Sequence, residues 1–395
     1  MTRVTWWLGR GSDPDVFQRN FVDPYRASDP PVDLHVEYLG ADSPERTLAA
    51  LADGTAPDIV MIPRAGTFAR LARKGHFADL SGYEWTGRLL PLAREIGTHG
   101  GRLLGIPRSS ETMLLFYEKT LFATHAWQPP RTLGELETLA TAMQARGIVP
   151  FGAGSADVPQ SVELYFSLIV NHHAGPANVR KALLGERPWT TFTRSVALLR
   201  EWFERGWFGE NYFTDTYTDG FARIATGEAG MSPNMTWVFG DIPAAFGERA
   251  GNVGVTPFPT PWPAAFYVYG TGSLIGINAK SAAPDAAAAV LDNLFTNDVR
   301  RSISQDLPGD WNLPLTDPDA DGLAACAMPQ FAETAVALTS ALQENRFGYS
   351  TWSFFPPTAE EAVITNFRDM IEGRMTVESY LTAIDEAFVI DRTAE

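Results

Sequence analysis

Short apolar runs alternate with helical patterns along the first part of the chain. Val4–Leu8 and Asp58–Ile62 are typical of buried strands, and the alternation over Val32–Tyr38 predicts another. Ser43-Pro44 marks the start of a helix, and Thr67–Lys74 has the pattern of a second one, closed by a glycine. Strands and helices that alternate in this way predict an α/β fold with mainly parallel sheets flanked by helices.

The stretch Gly100–Phe122 places a polar cluster between two apolar runs. Ser109, Ser110, Glu111 and Thr112 are followed directly by the apolar run Met113–Tyr117. Polar groups between buried strands cost free energy unless backbone, water or a ligand satisfies them. We therefore expect this cluster to have a structural or binding role.

The later chain is mostly helical in pattern. Thr132 with Glu135, and Thr358 with Glu361, have the spacing of helix capping boxes. The Pro-rich segment Thr256–Pro263 interrupts the regular patterns and is the best candidate for a crossing between domains.

Length and charge narrow the class of protein. With 395 residues, the chain is too long for one ordinary core, so two domains are expected. The net charge of -16 disfavours binding to nucleic acid or anionic lipid. No apolar run approaches the ~20 residues of a membrane helix, and Val4–Trp7 is too short for the core of a signal peptide.

Motifs for catalysis and metal binding are missing from the sequence. The single cysteine, Cys326, allows neither an internal disulfide nor a cysteine-based metal cage. The neighbours His172 and His173 would point about 100° apart on a helix, so we expect a solvated surface there and not a metal site. No phosphate loop, dinucleotide fingerprint or nucleophile elbow occurs, and we expect no metal and no cofactor. A glycosidase, which needs only two carboxylates, stays open.

Aromatic residues are abundant and cluster near polar residues. They make up 12% of the chain, with 11 Trp and 11 Tyr. Each one alone is best explained by core packing, but as a set beside Gly, Asn and Asp they indicate a polyhydroxylated ligand, because an aromatic face stacks on the C–H face of a pyranose. The aromatics of this set are Trp6, Trp7, Trp237, Tyr267, Tyr269, Trp311 and Trp352.

Five sequence blocks resemble the carbohydrate-binding family of extracellular solute-binding proteins of bacterial ABC importers. Glu118 is a departure, since Asn usually follows the Tyr of the second block, and Leu133 stands where the third block has Trp. The blocks, in chain order over nearly the whole length, are Pro57–Val60 with Leu71–Leu80, Gly105–Pro107 with Phe116–Phe122, Pro130–Leu136, Gly227–Met231 with Trp237, and Gly270–Ile277.

The resemblance implies a periplasmic-binding-protein-like fold of two α/β lobes joined by crossing hinge segments. It places residues 1–109 and 264–312 in an N-terminal lobe, and residues 110–263 and 313–395 in a C-terminal lobe. It implies a non-catalytic monomer in the periplasm or outside the cell, with lipid anchoring left open. Its partners would be a mono- or oligosaccharide, which stabilises the closed state, and the membrane permease subunits.

The resemblance also indicates ligand-binding residues, because ligands of such sheets bind beyond the carboxyl ends of the strands. Other roles stay open for several candidates. Asp13 could cap a helix, and Arg10 and Arg64 could pair with surface carboxylates. Trp311 and Trp352 could belong to the core. The candidates are Trp7, Arg10, Asp13, Arg64, Ser110, Glu111, Asp157, Asn234, Trp237, Tyr269, Gly270, Thr271, Trp311 and Trp352.

Two other functions remain as alternatives. The same fold can bind another small solute, such as a polyamine, a peptide or an organophosphate, and phosphate would favour Arg10 and Arg64. A glycosidase is the less favoured hypothesis. If the chain is a two-lobed carbohydrate-binding protein, Ser110 and Glu111 lie where it first passes between lobes.

Overall fold

The chain divides into two compact units. The computed structural model describes residues 1–9, 13–40, 43–262 and 264–393. Unit 1 comprises Met1–Glu111 and Thr271–Glu344, and unit 2 comprises Thr112–Gly270 and Asn345–Glu395. The polypeptide therefore crosses from one unit to the other after residues 111, 270 and 344. The lobe boundaries expected from the sequence, after residues 109, 263 and 312, differ from these mainly at the third crossing.

The described strands range in length from two to nine residues. In the described part of the chain they are β1 (Thr2–Leu8), β2 (Val32–Tyr38), β3 (Ile59–Ile62), β4 (Thr98–His99), β5 (Arg102–Leu103), β6 (Ile106–Pro107), β7 (Ser110–Glu118), β8 (Val149–Phe151), β9 (Ala229–Met235), β10 (Val253–Pro257), β11 (Tyr267–Thr271), β12 (Leu274–Ile277) and β13 (Phe347–Tyr349).

Helices separate most of these strands, and several short 3-10 helices adjoin the α-helices. In chain order they are α1 (Pro14–Phe17), α2 (Asp23–Ala27), α3 (Ser43–Asp53), α4 (Ala65–Arg73), α5 (Pro91–Gly97), α6 (Lys119–Thr124), α7 (Leu133–Gln144), α8 (Val162–Ala174), α9 (Pro176–Leu183), α10 (Thr193–Glu204), α11 (Tyr217–Thr226), α12 (Ile242–Phe246), α13 (Pro284–Leu294), α14 (Asn297–Asp306), α15 (Ala320–Cys326), α16 (Pro329–Gln343), α17 (Thr351–Phe354), α18 (Pro357–Ile371) and α19 (Val377–Thr393).

Unit 1 is built on a five-stranded sheet in the order β2-β1-β3-β12-β6. β1 pairs in parallel with both β2 and β3, whereas β12 runs antiparallel to β3 and β6. All four residues of β3 are buried, as expected for a central strand covered on both faces. The sheet brings the carboxyl ends of β1, β2 and β3 to one edge.

An aromatic cluster fills the core of unit 1 beneath that sheet. The Trp6 ring lies 5.4 Å from Phe17 and 6.4 Å from Trp311, measured between ring centroids. Trp311 also lies 4.8 Å from Phe17. Because all three side chains are buried, the segment around Trp311 is fixed to the sheet by packing.

Unit 2 is built on a mixed sheet in the order β13-β11-β7-β9-β8, with β10 also paired to β7. β7 runs antiparallel to β9 and β10, whereas β13 and β8 are parallel to β11 and β9. The first two crossings of the chain fall inside β7 and β11. These two connections are thus continuous with strands, whereas the third lies between α16 and β13.

One predicted capping box is confirmed and the other is wrong. At α7, the Glu135 amide donates to Thr132 Oγ1 at 3.1 Å, and the Glu135 carboxylate accepts from the Thr132 amide. At α18, no such box forms. The Asp391 carboxylate instead accepts from the amides of Thr358 and Ala359, at 3.1 and 3.0 Å. A carboxylate from the last helix therefore satisfies the start of α18.

No helix among the residues that the structure describes is both long and apolar enough to span a membrane.

We expect Thr132→Ala to lower the free energy of unfolding by about 1 kcal/mol, because it removes the N-cap of α7. Urea denaturation followed by circular dichroism measures this. Thr138→Ala is the control: Thr138 is exposed on the same helix, and its hydroxyl donates only to the Gly134 carbonyl. A loss for Thr138→Ala equal to that for Thr132→Ala would contradict the capping argument.

Candidate functional site

Two candidate residues of unit 1 lie at the same edge of its sheet. Trp7 is near the carboxyl end of β1, and Arg64 follows β3 as the N-cap residue of α4. Both side chains are half-buried. The Arg46 guanidinium lies 5.3 Å from the centroid of the Trp7 ring. This edge therefore combines an accessible aromatic ring with arginine side chains.

Asp13 acts as a helix cap, which is one of the two roles that the sequence left open. Its Oδ1 accepts from the amides of Asp15 and Val16 at 2.9 and 3.0 Å, at the start of α1. The side chain is exposed, so its remaining acceptor capacity faces solvent. Arg10, the other candidate in this loop, lies outside the described residues.

A buried charged cluster lies just before the first crossing. Arg108 and Asp310 form an ion pair of 2.6 Å, with side chains 8% and 17% exposed. The Arg108 guanidinium also lies 5.3 Å from the centroid of the Trp311 ring. Close by, Ser109 Oγ donates to Glu111 Oε1 at 2.9 Å. Ser109 and Glu111 of the polar stretch therefore bond to each other within unit 1, whereas the buried Thr112 Oγ1 has no hydrogen-bond partner among the described residues.

Burial perturbs the two carboxylates of this cluster. Loss of solvent raises the pKa of Glu111 to about 7, although Arg108 and the Ser109 hydroxyl favour its ionised form and act in the opposite direction. Burial also raises the pKa of Asp310, and the charge of Arg108 opposes this shift. Glu111 is thus a carboxyl group that changes its charge near neutral pH.

Backbone hydrogen bonds tie three segments to the cluster. The Ser110 amide donates to the Asn312 carbonyl at 2.6 Å, and the Arg108 amide donates to the Ser273 carbonyl at 2.8 Å. The Gly272 amide donates to Ser109 Oγ at 3.1 Å. Residues on the unit 1 side of the first two crossings are therefore fastened to each other and to the loop that carries Trp311.

Trp311 itself belongs to the core of unit 1. It is 3% exposed and packs against the aromatic cluster described above. The sequence left ligand binding and core packing open for Trp311, and the structure shows core packing.

In unit 2, Asp157 and Trp237 come together through the first residue of α11. Asp157 Oδ1 accepts from the Tyr217 amide at 2.7 Å. The Tyr217 ring stacks on the Trp237 ring at 4.5 Å and 25°. Asp157 is exposed and Trp237 half-buried, so a carboxylate and an indole are both accessible beside one tyrosine.

By contrast, the Asn234 side chain is hydrogen-bonded within the sheet. It is 2% exposed and lies on β9. Its Oδ1 accepts from the Met235 amide at 2.8 Å, and its Nδ2 donates to Ser232 Oγ at 3.3 Å. A role in shaping the end of β9 fits these contacts better than direct exposure to a ligand.

The second crossing is bordered by buried side chains of unit 2. A Cβ atom on Gly270 would lie 2.1 Å from Trp352 Nε1 and 2.7 Å from Ser350 Oγ. These two atoms are buried and have no hydrogen-bond partner within the described residues. Gly270 is therefore required for close approach of the backbone, and the indole and hydroxyl retain hydrogen-bonding capacity.

The residues flanking Gly270 are also buried. Tyr269 lies within unit 2, and Thr271 is the first residue of unit 1 after this crossing. Trp352, at 8% exposure, packs against this strand.

Sequence reasoning missed a buried polar network in unit 2. Thr351 Oγ1 donates to Glu163 Oε2 at 2.7 Å, and the Thr351 amide donates to Ser167 Oγ at 3.0 Å. Asn171 Nδ2 donates to the Tyr349 carbonyl, and Asn171 Oδ1 accepts from the Tyr349 amide. The signal was present, since Glu163, Ser167 and Asn171 recur every fourth residue of the otherwise apolar α8 and so share one face.

The expectation of a solvated histidine pair is wrong for His172. It is 1% exposed, and its ring stacks on Phe266 at 4.3 Å. Nδ1 lies 3.0 Å from the Pro259 carbonyl, so the neutral ring donates there. Burial lowers the pKa of His172 to about 3. Among the described residues, no group of three or more His, Cys, Asp or Glu side chains is placed to hold a metal ion.

Glu118, the departure from the family pattern, is a helix cap. Its carboxylate accepts from the Leu121 amide at the start of α6. The side chain is buried at the end of β7 and supports the turn from strand to helix.

Comparison with known proteins places the chain in a family. The model of the bacterial extracellular solute-binding protein family matches residues 11–301. The chain therefore belongs to this family, which confirms the resemblance found in the sequence. The α/β class and the two-unit architecture expected from that resemblance are confirmed as well.

Solved structures share the fold at low sequence identity. One, from work on xylan utilization by the thermophilic bacterium Caldanaerobius polysaccharolyticus, has a TM-score of 0.80 at 20% identity, over 97% of this chain and 99% of the other. A chitin oligosaccharide binding protein has 0.83 at 18%, over 99% of both chains. The bacterial solute receptor AcbH has 0.73 at 15%, over 100% of this chain and 98% of the other.

We expect Arg108→Met to lower the free energy of unfolding by about 3 kcal/mol, because it leaves the Asp310 carboxylate buried without its cation. The control is Arg19→Met, which breaks an ion pair with Asp306 whose side chains are 60% and 33% exposed, and which should change stability little. Urea denaturation of both variants at neutral pH compares them. An equal loss of stability in the two variants would contradict the argument that burial makes the Arg108–Asp310 pair important for stability.

We expect Gly270→Ala to destabilise the protein by roughly 1–3 kcal/mol, because the new methyl group overlaps the Trp352 indole and forces it to move. Gly240→Ala is the matched control, since a Cβ there meets nothing within 4 Å. Thermal unfolding monitored by tryptophan fluorescence reports both stability and the indole environment. An unshifted spectrum with unchanged stability would contradict the close approach.

Proposed function

We propose that this protein binds a mono- or oligosaccharide outside the cytoplasmic membrane and delivers it to the permease of an ABC importer. Family membership supports the binding role, and the carbohydrate specificity is supported by the site. The observation that carries it is Trp237 of unit 2, a half-buried indole stacked on Tyr217, whose amide donates to the accessible Asp157 carboxylate. Trp7 of unit 1, half-buried beside Arg46, offers a second aromatic surface in its own unit.

The chemistry of these residues suits a sugar. An indole face covers the C–H face of a pyranose, while a carboxylate accepts hydrogen bonds from its hydroxyls. Trp237 has Asp157 nearby across Tyr217. Names of similar structures agree in kind: xylan utilization, chitin oligosaccharide binding, and for AcbH a preference for β-D-galactopyranose.

Arg108, one of the buried cations of unit 1, is already paired with Asp310, so it is a weak receptor for the phosphate group of an organophosphate. We propose that the protein acts as a monomer without a chemical step. We also keep the lobe boundaries and the candidate ligand-binding residues of the sequence analysis as proposals, except Trp311 and Asn234, whose burial and contacts assign them to packing within their own units.

The proposal is tested by calorimetry with xylobiose, N,N′-diacetylchitobiose and galactose, and with spermidine and glycerol 3-phosphate as other solute classes. We expect binding to at least one sugar and to neither of the other two solutes. Binding to spermidine or glycerol 3-phosphate alone would refute the carbohydrate assignment.

We expect Trp237→Ala to weaken the sugar's affinity at least about tenfold, roughly 1.4 kcal/mol, because the stacking surface is lost. Trp262→Ala is the control, since Trp262 is 41% exposed in the same unit but is not a candidate residue. Calorimetry at a single pH compares both variants with the parent protein. Undiminished affinity in Trp237→Ala would remove this residue from the site.

A further inference from the structure

Tyr217 contacts both of the accessible groups that the proposed sugar site uses in unit 2. Its amide donates to Asp157 Oδ1 at 2.7 Å, and its ring stacks on Trp237 at 4.5 Å between centroids. Tyr217 itself is 4% exposed, whereas Asp157 is exposed and Trp237 is half-buried. One buried residue therefore joins a carboxylate and an indole that solvent can reach.

These two groups belong to segments that follow neighbouring parallel strands. Asp157 comes after β8, which ends at Phe151, and Trp237 comes after β9, which ends at Met235. Since β8 pairs in parallel with β9, both segments leave the same edge of the sheet. Ligands of α/β sheets bind beyond such carboxyl ends, so this is the expected edge for a solute in unit 2.

Helix α11, which begins with Tyr217, packs backbone against backbone on the segment that follows β8. A Cβ atom on Gly220 would lie 2.2 Å from the Ala153 carbonyl carbon. In the same way, a Cβ atom on Gly154 would lie 2.3 Å from the Thr216 carbonyl oxygen. Only glycine permits this close approach, because backbone atoms cannot move aside as a flexible side chain can. The start of α11 is therefore fixed against this segment.

Two backbone hydrogen bonds hold the same segments together. The Ser155 amide donates to the Tyr212 carbonyl at 2.9 Å, and the Ala156 amide donates to the Asp215 carbonyl at 3.0 Å. These bonds come directly before the one that the Tyr217 amide donates to the carboxylate. The carboxylate is thus held on a segment that is tied to α11 at several points.

Asp157 keeps one oxygen atom for a further hydrogen bond. Oδ1 accepts from the Tyr217 amide, and Oδ2 has no partner among the described residues. A carboxylate oxygen is a strong acceptor for a hydroxyl group. Because the acceptor and the Trp237 indole are already held in place, binding of a solute does not have to order them.

We propose that Tyr217 is a positioning residue for sugar recognition: it fixes the distance between the Asp157 acceptor and the Trp237 stacking surface, so that both contact one sugar ring. This deepens the proposed function and rests on it. Loss of either contact lets the sugar shift and weakens the other contact. The contributions of the two side chains to sugar affinity are therefore coupled.

Calorimetry on a double-mutant cycle tests this coupling. Asp157→Asn, Trp237→Ala and the double variant are titrated with xylobiose, N,N′-diacetylchitobiose and galactose, and compared for each sugar that the parent protein binds. We expect the loss of affinity in the double variant to be at least about threefold smaller than the product of the two single losses. Losses that simply multiply would overturn the proposal.

Two substitutions of Tyr217 separate positioning from a purely structural role. Tyr217→Leu keeps the backbone amide that donates to Asp157 but removes the aromatic stack, so we expect the coupling to disappear. Tyr217→Phe keeps the ring and should retain the coupling. A purely structural tyrosine would lower stability in Tyr217→Leu and leave the coupling unchanged in the folded protein, and that result would overturn the proposal.

Gly220→Ala covers the case in which Tyr217→Leu does not fold. Its new methyl group overlaps the backbone at Ala153 and displaces the start of α11, so we expect weaker sugar binding and loss of the coupling. Gly134→Ala is the matched control in α7 of the same unit, where a Cβ atom meets nothing within 4 Å, and it should bind sugar as the parent protein does. Unchanged affinity and coupling in folded Gly220→Ala would overturn the proposal.

The outcomes also distinguish this inference from the proposed function. If the parent protein binds none of the three sugars, both are refuted. If it binds one or more of them and the two losses simply multiply, the carbohydrate function stands and only the role of Tyr217 is refuted.

Discussion

The buried ion pair between Arg108 and Asp310 is the constraint around which unit 1 is arranged at its boundary. Two charges held out of water must remain together, because separating them leaves an uncompensated ion in a low-dielectric environment. The pair is in turn positioned by packing, since the Arg108 guanidinium lies over Trp311 and Trp311 is fixed in the aromatic core. Packing in the aromatic core thereby fixes the position of the buried ion pair.

Unit 2 has close packing and a hydrogen-bond network at its boundary in place of a buried ion pair. Its boundary strand approaches Trp352 so closely that only glycine fits at position 270. Behind it, Ser167, Asn171 and Thr351 satisfy one another and the backbone. A fully connected network of this kind specifies one arrangement of α8 against α17, because any shift leaves buried donors without acceptors.

Local patterns predicted the fold well, and long-range pairings escaped prediction. The strands Val4–Leu8 and Asp58–Ile62 and the Thr132 capping box depend on neighbours in sequence, so their signals are visible there. No local pattern predicts the ion pair of Arg108, because its partner Asp310 lies 202 residues away. The predicted box at Thr358 failed for the same reason, since a distant aspartate took its place. His172 looked like a surface residue only because the Phe266 that covers it is remote in sequence.

The interleaved order of the two units has a consequence for folding during synthesis. Strand β12, which lies between β3 and β6, and the loop carrying Asp310 are translated only after most of unit 2. The first 111 residues therefore emerge without the strand that joins their sheet and without the partner of Arg108. Such non-local pairings slow folding, so unit 1 stays incomplete until the ribosome has passed residue 310, and its exposed strand edges must be protected meanwhile.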